Sequence, residues 1–186
     1  VDYDPSTPEQ IERRFEDALQ NAEEFFMNES KVQKAMHALA RALEQGGVSY
    51  AIAGAMAMNA YGYQRVTADV DVLLTAEGLA RARTLLLGRG YVEKFPGSRG
   101  LRDTVHNVAI DVLITGEFPG DGQPKPVAFP DPATAATVGT AVHLVKLPVL
   151  VELKLASGMT APHRLRDLAD VIELTRAAGL TEAFAD

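Results

Sequence analysis

The sequence predicts an α/β (α+β) chain in which a short mixed β-sheet is flanked by helices. Apolar runs of strand length, such as Val48 to Ala53, alternate with segments whose apolar residues recur at helical spacing. Glycines stand at the junctions, and Gly54 directly follows that first run. A chain of 186 residues with this alternation has the length of one layered domain, with or without a helical appendage.

Two helices are predicted before the first strand. The first carries apolar residues at helical spacing over Ile11–Phe26. The second begins at Ser30, a suitable N-cap, and stops at the pair Gly46 and Gly47. Residues 1–47 are therefore interpreted as an N-terminal helical segment.

The central segment, residues 48–145, is predicted to contain the sheet. After the first strand and Gly54, we expect helix 55–61, strand 70–73, helix 79–87 and strands 91–95, 104–114 and 141–145. The stretch PGSRG is predicted as a turn between two of these strands. Residues 115–132 are rich in Gly and Pro, which favours a surface loop that could serve as a mobile cover.

The last segment, residues 146–186, is predicted to consist of two helices packed on the core as part of one compact unit. Proline is favoured in the first turn of a helix, so Pro148 and Pro162 mark the two starts. The first helix is expected to reach Ser157 and the second Ala177.

Composition narrows the classes of function. The chain has no cysteine, so it offers neither a disulfide framework nor a thiolate zinc site. A formal net charge of −7 argues against a globally basic nucleic-acid-binding surface. No apolar run has the length of a membrane helix, and the first ten residues are polar and acidic. We therefore expect a cytoplasmic protein with no membrane partner.

Candidate metal ligands stand on two predicted strands. Asp69 and Asp71 are two residues apart, so both side chains project from the same face of a strand. Two carboxylates this close repel each other unless water or a cation screens them, and hard oxygen ligands suit Mg²⁺ or Mn²⁺. Asp111, within VAIDVLIT, could bring a third carboxylate.

Candidate phosphate-binding residues surround the aspartate pair. A glycine between a strand and a helix, as at Gly54, lets a phosphate approach the backbone and the helix N-terminus. Arg65 and Thr67 precede the aspartates and could add a charge-assisted hydrogen bond and a hydroxyl donor. The sequence therefore predicts adjoining metal and phosphate sites.

This order of strand, glycine and small residue, helix, Arg-x-Thr-x-Asp-x-Asp and a distant Asp resembles the nucleotidyltransferase superfamily that includes DNA polymerase beta. It looks closest to the minimal nucleotidyltransferases and the abortive-infection (AbiEii-like) toxins. The resemblance implies the nucleotidyltransferase fold and two-metal nucleotidyl transfer. In that mechanism Asp69 and Asp71 would bind both ions, and Asp111 would bind the catalytic ion and help activate the acceptor hydroxyl.

A weaker resemblance covers the C-terminal helices. By its pattern Lys154 would face the nucleotide phosphates, and Arg164 could do so as well. The chain departs from the pattern at Ala55, where the family has Ser or Gly, so a hydroxyl contact to phosphate is lost. Taken alone, Lys154 and Arg164 are equally well explained as solvent-facing charges or as partners of Glu152, Asp167 and Asp170.

The sequence thus predicts a Mg-dependent enzyme that transfers a nucleoside monophosphate from an NTP to an acceptor hydroxyl. RNA or tRNA, a protein and a small molecule all remain open as acceptors, and the toxin resemblance adds a cognate antitoxin as a partner. Two alternatives remain. One is a catalytically degenerate nucleotide-binding or regulatory module, which Ala55 supports, and the other is a metal-dependent phosphohydrolase or nuclease.

Overall fold

In the computed structural model, residues 31–137 and 141–181 are described. The first predicted N-terminal helix and the predicted cap Ser30 lie outside these residues. The elements are α1 (residues 31–45), β1 (Ala51–Ile52), α2 (Gly54–Ala60), β2 (Asp69–Leu74), α3 (Ala76–Leu86), β3 (Tyr91–Glu93), β4 (Leu101–Asp103), β5 (Val108–Ile114), α4 (Pro132–Ala135), α5 (Leu147–Thr160) and α6 (Leu165–Ala177). A 3₁₀ turn, Pro162–Arg164, joins α5 to α6.

The sheet is mixed, as the sequence predicted. Its order is β1-β2-β5-β4-β3. The central strands β2 and β5 are parallel, whereas β1 pairs antiparallel with β2, and β4 pairs antiparallel with both β5 and β3. The central parallel pair places the aspartates of β2 beside the aspartate of β5.

Two hydrophobic clusters cover the two faces of the sheet. On one face the apolar side chains of β2 and β5, including Val70, Val72 and Ile110, pack with α1 and α3. On the other face Leu73 and the partly buried Leu113 pack with α2, α5 and α6. This second cluster covers one end of the strands, and the aspartates lie on the same face toward the other end.

Several predicted boundaries were wrong. The strand predicted over residues 104–114 begins at Val108, because residues 104–107 form a turn in which Asn107 has φ 57°. The Asp103 carboxylate accepts the main-chain N–H of Val105, which holds this turn. The strand β4 lies directly before it, in a segment that the sequence pattern left without a strand.

Two further strands are shorter than predicted. The strand predicted over residues 48–53 contains the two residues Ala51–Ile52. Residues 141–145 contribute single bridges, Leu144 to Ile52 and Val145 to Ala136, in place of a full strand. The helix predicted over residues 79–87 begins earlier, at Ala76, because Thr75 caps it by accepting the N–H of Gly78.

The described part of the chain contains no helix of the length and apolar character needed to cross a membrane.

Candidate active site

Asp69, Asp71 and Asp111 lie side by side on one face of the sheet. The parallel register pairs Asp71 with Asp111, and Asp69 with Ala109. Because side chains alternate along a strand, both aspartates of β2 project to the face that also carries Asp111. All three carboxylates line one cleft, a cavity of about 340 Å³.

Asp71 is the electrostatically strained member of this group. Burial, together with the negative charges of Asp69 and Asp111, raises its pKa to about 6. The positive charges of Lys154 and Arg164 act in the opposite direction but do not cancel the effect. The fold therefore holds Asp71 where its ionised form is costly, which is the situation that a bound cation relieves.

Gly54 brings the start of α2 against this carboxylate. Its φ is +58°, in the left-handed region that favours glycine, and a Cβ placed there would lie 1.8 Å from Asp71 Oδ2. The N–H of Ala53 donates to the main-chain oxygen of Asp71 at 2.9 Å. A side chain larger than hydrogen at residue 54 would therefore displace Asp71 or the helix start.

The segment before β2 forms the outer wall of the cleft, where Arg65 and Thr67 line it. The Thr67 hydroxyl donates to Asp69 Oδ1 at 2.5 Å. Arg65 donates its main-chain N–H to Asn59 Oδ1 at 2.5 Å and its Nη1 to Asp170 Oδ2 at 2.5 Å. Arg65 Nε and Asp170 Oδ1 are buried without a hydrogen-bond partner in the described residues.

The helices α5 and α6 contribute a second charged group. Lys154 Nζ donates to Asp167 Oδ1 at 2.6 Å and to Asp170 Oδ2 at 2.9 Å. Ser157 Oγ donates to Asp167 Oδ2 at 2.6 Å, and Arg164 Nε donates to the same oxygen at 2.9 Å. Burial alone would raise the pKa of Asp167, but the hydrogen bonds from Lys154 and Ser157 hold that pKa below its usual value.

Two cavities adjoin each other at Asp71. The first is the polar cleft already described. The second, of about 700 Å³, extends under the loop that follows β5 and has an apolar wall formed by Leu113, Leu150 and Leu153 together with two phenylalanines. Gly54, Asp71, Lys154, Arg164 and Asp167 line both cavities. A ligand with a charged end and a flat apolar end could therefore lie across the two, with its charged end at Asp71.

The loop predicted as a cover forms one wall of the larger cavity. Lys125, within this loop, donates to the Pro119 carbonyl of the same loop at 2.6 Å and to Thr160 Oγ1 of α5 at 2.9 Å. The second hydrogen bond attaches the loop to α5. At its tip Gly120, with φ +78°, lies so close to α5 that a Cβ would approach the Ser157 backbone at 3.1 Å. That this loop is mobile stays a prediction.

The fold brings every residue of the predicted site to the polar cleft. The residues that line it include Gly54, Ala55, Arg65, Thr67, Asp69, Asp71, Asp111, Lys154 and Arg164. Their roles in binding stay predictions. Lys154 and Arg164 both form ion pairs with Asp167. This agrees with the alternative prediction that these two cations are partners of nearby acidic side chains.

The contact of Lys94 with this site was not predicted from the sequence. Lys94, at the end of β3, reaches Asp111 and donates to its Oδ1 at 2.7 Å. Nothing in the local pattern KFPGSRG signals this contact, because it depends on the β3–β4 hairpin folding back beside β5. Of Asp69, Asp71 and Asp111, only Asp111 forms an ion pair within the described residues.

The donor set suits a hard divalent cation in its chemistry. Three carboxylates share one cleft, and burial together with their mutual repulsion raises the pKa of Asp71. In residues 31–137 and 141–181, however, no group of three or more His, Cys, Asp or Glu side chains is arranged to hold a metal ion as it stands. Binding an ion through all three carboxylates would require Asp111 to exchange Lys94 for the ion.

Comparison with known proteins identifies the fold. No protein-family profile matches the chain, and no curated protein matches it significantly. Several solved structures are similar to it, including the two that follow. One is ANT(2″)-Ia in complex with adenylyl-2″-tobramycin, with a TM-score of 0.54 at 11% identity, covering 82% of this chain and 91% of that one. The other is an antigenic nucleotidyltransferase-like protein from Paracoccidioides brasiliensis, with a TM-score of 0.54 at 19% identity, covering 79% and 76%.

Proposed function

From the nucleotidyltransferase fold that these neighbours share, we propose that this chain transfers a nucleoside monophosphate from an NTP to an acceptor hydroxyl. The observation that carries the proposal is that the sheet carboxylates, the Gly54 turn and the cations Lys154 and Arg164 line one cleft. A binding module that held nucleotide without reacting it would have little physical reason to crowd three carboxylates at the mouth of a phosphate site.

In this proposal the two cavities divide the nucleotide between them. The triphosphate lies in the polar cleft against the Gly54 turn and the main chain of Ala55, with Thr67 and Arg65 on the outer wall. Lys154 and Arg164 line both cavities and act electrostatically on Asp71, so they are positioned to neutralise phosphate charge. The nucleoside occupies the apolar wall of the larger cavity.

The reaction would be an in-line substitution at the α-phosphorus. The acceptor hydroxyl oxygen forms a bond to that phosphorus, the bond to the bridging oxygen of the β-phosphate breaks, and pyrophosphate leaves. Asp111, whose side chain is 38% exposed, takes the hydroxyl proton. Asp69, Asp71 and Asp111 would hold Mg²⁺ or Mn²⁺, which would supply charge stabilisation to the entering and leaving oxygens.

The toxin-like resemblance extends this proposal to the cell. We propose that the natural acceptor is a cellular macromolecule and that a cognate antitoxin controls the activity. Expression of the chain should then arrest growth, and Asp71→Asn should relieve the arrest. The similarity to ANT(2″)-Ia, whose complex contains adenylyl-2″-tobramycin, keeps a small hydroxylated acceptor in the test set.

The direct test is transfer of label from α-³²P-NTPs, each supplied with Mg²⁺, to cell extract, purified RNA and tobramycin. We expect a labelled adduct with at least one NTP and a loss of about 1,000-fold for Asp69→Asn or Asp71→Asn, as expected when charge-stabilising groups are removed. Glu77→Gln is the matched control, because this acid is exposed on α3 near the opposite face of the sheet.

Other outcomes would identify the alternatives. Nucleotide binding without transfer to any acceptor would favour a regulatory module, which Ala55 and the Lys94–Asp111 pair support. Release of labelled monophosphate, or cleavage of RNA without an adduct, would favour a hydrolase or nuclease.

A further inference from the structure

Lys94 lies directly across β4 from Asp111. The register aligns Glu93 of β3 with Ile110 of β5 across the intervening strand. One position further along, the main-chain N–H of Lys94 donates to the carbonyl oxygen of Gly100 at 2.9 Å. Lys94, Gly100 and Asp111 therefore continue this register as one row across the sheet.

Gly100 leaves the space that the Lys94 side chain crosses. A Cβ at residue 100 would lie 3.1 Å from the main-chain oxygen of Ile110 and 3.4 Å from Asp111 Oδ1. The Lys94 Nζ donates to this same Oδ1 at 2.7 Å. A side chain at residue 100 would therefore crowd the carboxylate oxygen that the ammonium group contacts.

The turn of the β3–β4 hairpin is held on both sides of Lys94. Arg83 of α3 donates to the Ser98 carbonyl at 2.9 Å and forms an ion pair with the Glu93 carboxylate. Glu93 also accepts the main-chain N–H of Gly97 at 2.7 Å. These contacts attach the turn to α3, so the fold itself positions the ammonium group of Lys94.

The cation at Asp111 distinguishes it from the two aspartates of β2. Within the described residues, Asp111 has Lys94 at ion-pair distance, whereas Asp69 and Asp71 have no such partner. An ammonium group and a divalent ion at one carboxylate would repel each other. One divalent ion at Asp69 and Asp71, together with the Lys94 ammonium group, would balance the three carboxylate charges.

We propose that the Lys94 ammonium group takes the place of a second metal ion at Asp111, so that the chain uses one divalent ion, held by Asp69 and Asp71. This inference rests on the proposed function and narrows its metal ligands to the aspartates of β2. The transfer step is unchanged: the acceptor oxygen bonds to the α-phosphorus, its proton passes to Asp111, and pyrophosphate leaves. Lys94 stabilises the negative charge that develops on the acceptor oxygen.

The first experiment counts bound ions without catalysis. The protein is titrated with Mn²⁺ alone, and electron paramagnetic resonance measures the free ion. We expect one ion per chain for wild type and two for Lys94→Gln, whose second ion should bind at least about tenfold more tightly than any second ion of wild type. Lys94→Arg keeps the positive charge and should bind one ion. Adding Asp111→Asn to Lys94→Gln should remove the second ion.

Two controls define the count. The double variant Asp71→Asn/Asp111→Asn measures ions bound elsewhere on this acidic chain, and that background is subtracted. Arg89→Gln removes the same charge from an exposed residue just before β3, at the other end of the hairpin from Lys94, and should bind one ion. Thermal unfolding verifies that every variant is folded.

The ion count decides the inference. Two ions in wild type would show that Asp111 exchanges Lys94 for metal, and this would overturn it. One ion in Lys94→Gln would overturn it as well, because the ammonium group would then not be what keeps a second ion away. Wild type without a bound ion would show that Asp69 and Asp71 are not a metal site.

The second experiment measures label transfer from each α-³²P-NTP as Mg²⁺ is varied. We expect the wild-type rate to depend on Mg²⁺ as on a single site. Lys94→Gln should lose about 100-fold at low Mg²⁺ and recover part of this loss as Mg²⁺ rises, with a dependence on two ions. An equal loss at every Mg²⁺ concentration would mean that Lys94 only supports the structure, and the inference would fail.

The two proposals can fail separately. If wild type labels no acceptor with any NTP but binds one Mn²⁺, and Lys94→Gln binds two, the proposed function fails and the single-ion site stands. If wild type transfers label and binds two ions, the nucleotidyltransferase proposal stands and the role of Lys94 is overturned.

Discussion

Two groups of carboxylates lie at or next to the polar cleft, and they differ in their ion-pair partners. Asp167 and Asp170 on α6 are 4% and 1% exposed, and Lys154, Arg164 and Arg65 form ion pairs with them. Asp69 and Asp71 on β2 lie next to Asp111, and within the described residues neither has a cation at ion-pair distance. The helix group is neutralised internally, whereas the strand group retains its repulsion.

In the proposed function, this difference separates a structural scaffold from the reactive centre. Buried carboxylates in ion pairs hold their partners in place, and here they fix the side chains of Lys154 and Arg164 along the cleft. Carboxylates left unpaired at a cleft require something from solution, either protons or a cation. The comparison therefore predicts that substitutions in the helix group lower stability, while neutralising the strand group raises it.

The largest effect on stability is expected for Asp170→Ala. This change removes the carboxylate shared by Arg65 and Lys154 and leaves two cations partly buried with one acid fewer. Breaking a buried pair in this way costs about 3–5 kcal/mol, which corresponds to a melting temperature lower by roughly 10 °C. Thermal unfolding followed by circular dichroism measures it.

Glu173→Gln serves as the control on the same helix. Glu173 pairs with Arg176 at the surface, where such pairs contribute less than about 1 kcal/mol. Equal melting temperatures for Asp170→Ala and Glu173→Gln would contradict the view that the helix group is a structural scaffold.

Gly54→Ala is expected to cause the next largest loss of stability. It acts where the start of α2 meets Asp71 of the strand group. The new methyl group would overlap Asp71 Oδ2, and residue 54 would keep a left-handed φ of +58°. We expect a loss of about 2–3 kcal/mol from strain and overpacking, and a loss of transfer of about 100-fold because Asp71 is displaced. Denaturant unfolding and the label-transfer assay measure the two effects.

Gly88→Ala separates strain from overlap. Gly88 has φ +74°, but nothing lies within 4 Å of a Cβ there. This variant should lose about 1 kcal/mol and keep full transfer activity. If Gly54→Ala behaved in the same way, the close approach to Asp71 would have no functional consequence.

The strand group was predictable from sequence because its information is local. Strand alternation places Asp69 and Asp71 on one face, and an apolar run centred on Asp111 indicates a neighbouring strand. The parallel register that aligns Asp71 with Asp111 could not be derived from either strand alone. It depends on how the helices cover both faces of the sheet.

The partners of the charged residues were much less predictable. Arg65 and Asp170 are 105 positions apart, and the sequence carries no signal that pairs them. Lys94 reaches Asp111 through a hairpin whose second strand the apolar pattern missed, since Leu101–Asp103 is short and followed by a turn. Long-range ion pairs follow from packing and are not readable from local pattern.

A change in stability of opposite sign is expected for Asp71→Asn. The pKa of Asp71 is raised from 3.8 to about 6, so between these values the folded state binds more protons than the unfolded state. The stability of the metal-free protein therefore falls as pH rises from about 4 to 6. At pH 7 in EDTA, Asp71→Asn should be more stable than wild type by about 3 kcal/mol, and near pH 4 the two should be nearly equal.

Asp167→Asn tests this prediction further, because its effect on stability at pH 7 should have the opposite sign to that of Asp71→Asn. The pKa of Asp167 is lowered, so its contribution to stability is present above the unfolded pKa and is lost as pH falls through the folded value. At pH 7 this variant should be less stable than wild type, and the difference should shrink on acidification. Melting curves from pH 4 to pH 8 that moved both variants in the same direction would remove the distinction between the two carboxylate groups.

The smallest effect is expected for Lys94→Gln, which removes the cation nearest the strand group. Both partners of the Lys94–Asp111 pair are about one-third exposed, so its loss should cost less than about 1 kcal/mol in EDTA. The variant should nevertheless gain more in melting temperature than wild type when Mg²⁺ or Mn²⁺ is added, because an ion at Asp111 no longer has to displace an ammonium group. An equal gain for both proteins would mean that Asp111 does not contribute to cation binding, and the strand group would then act through Asp69 and Asp71.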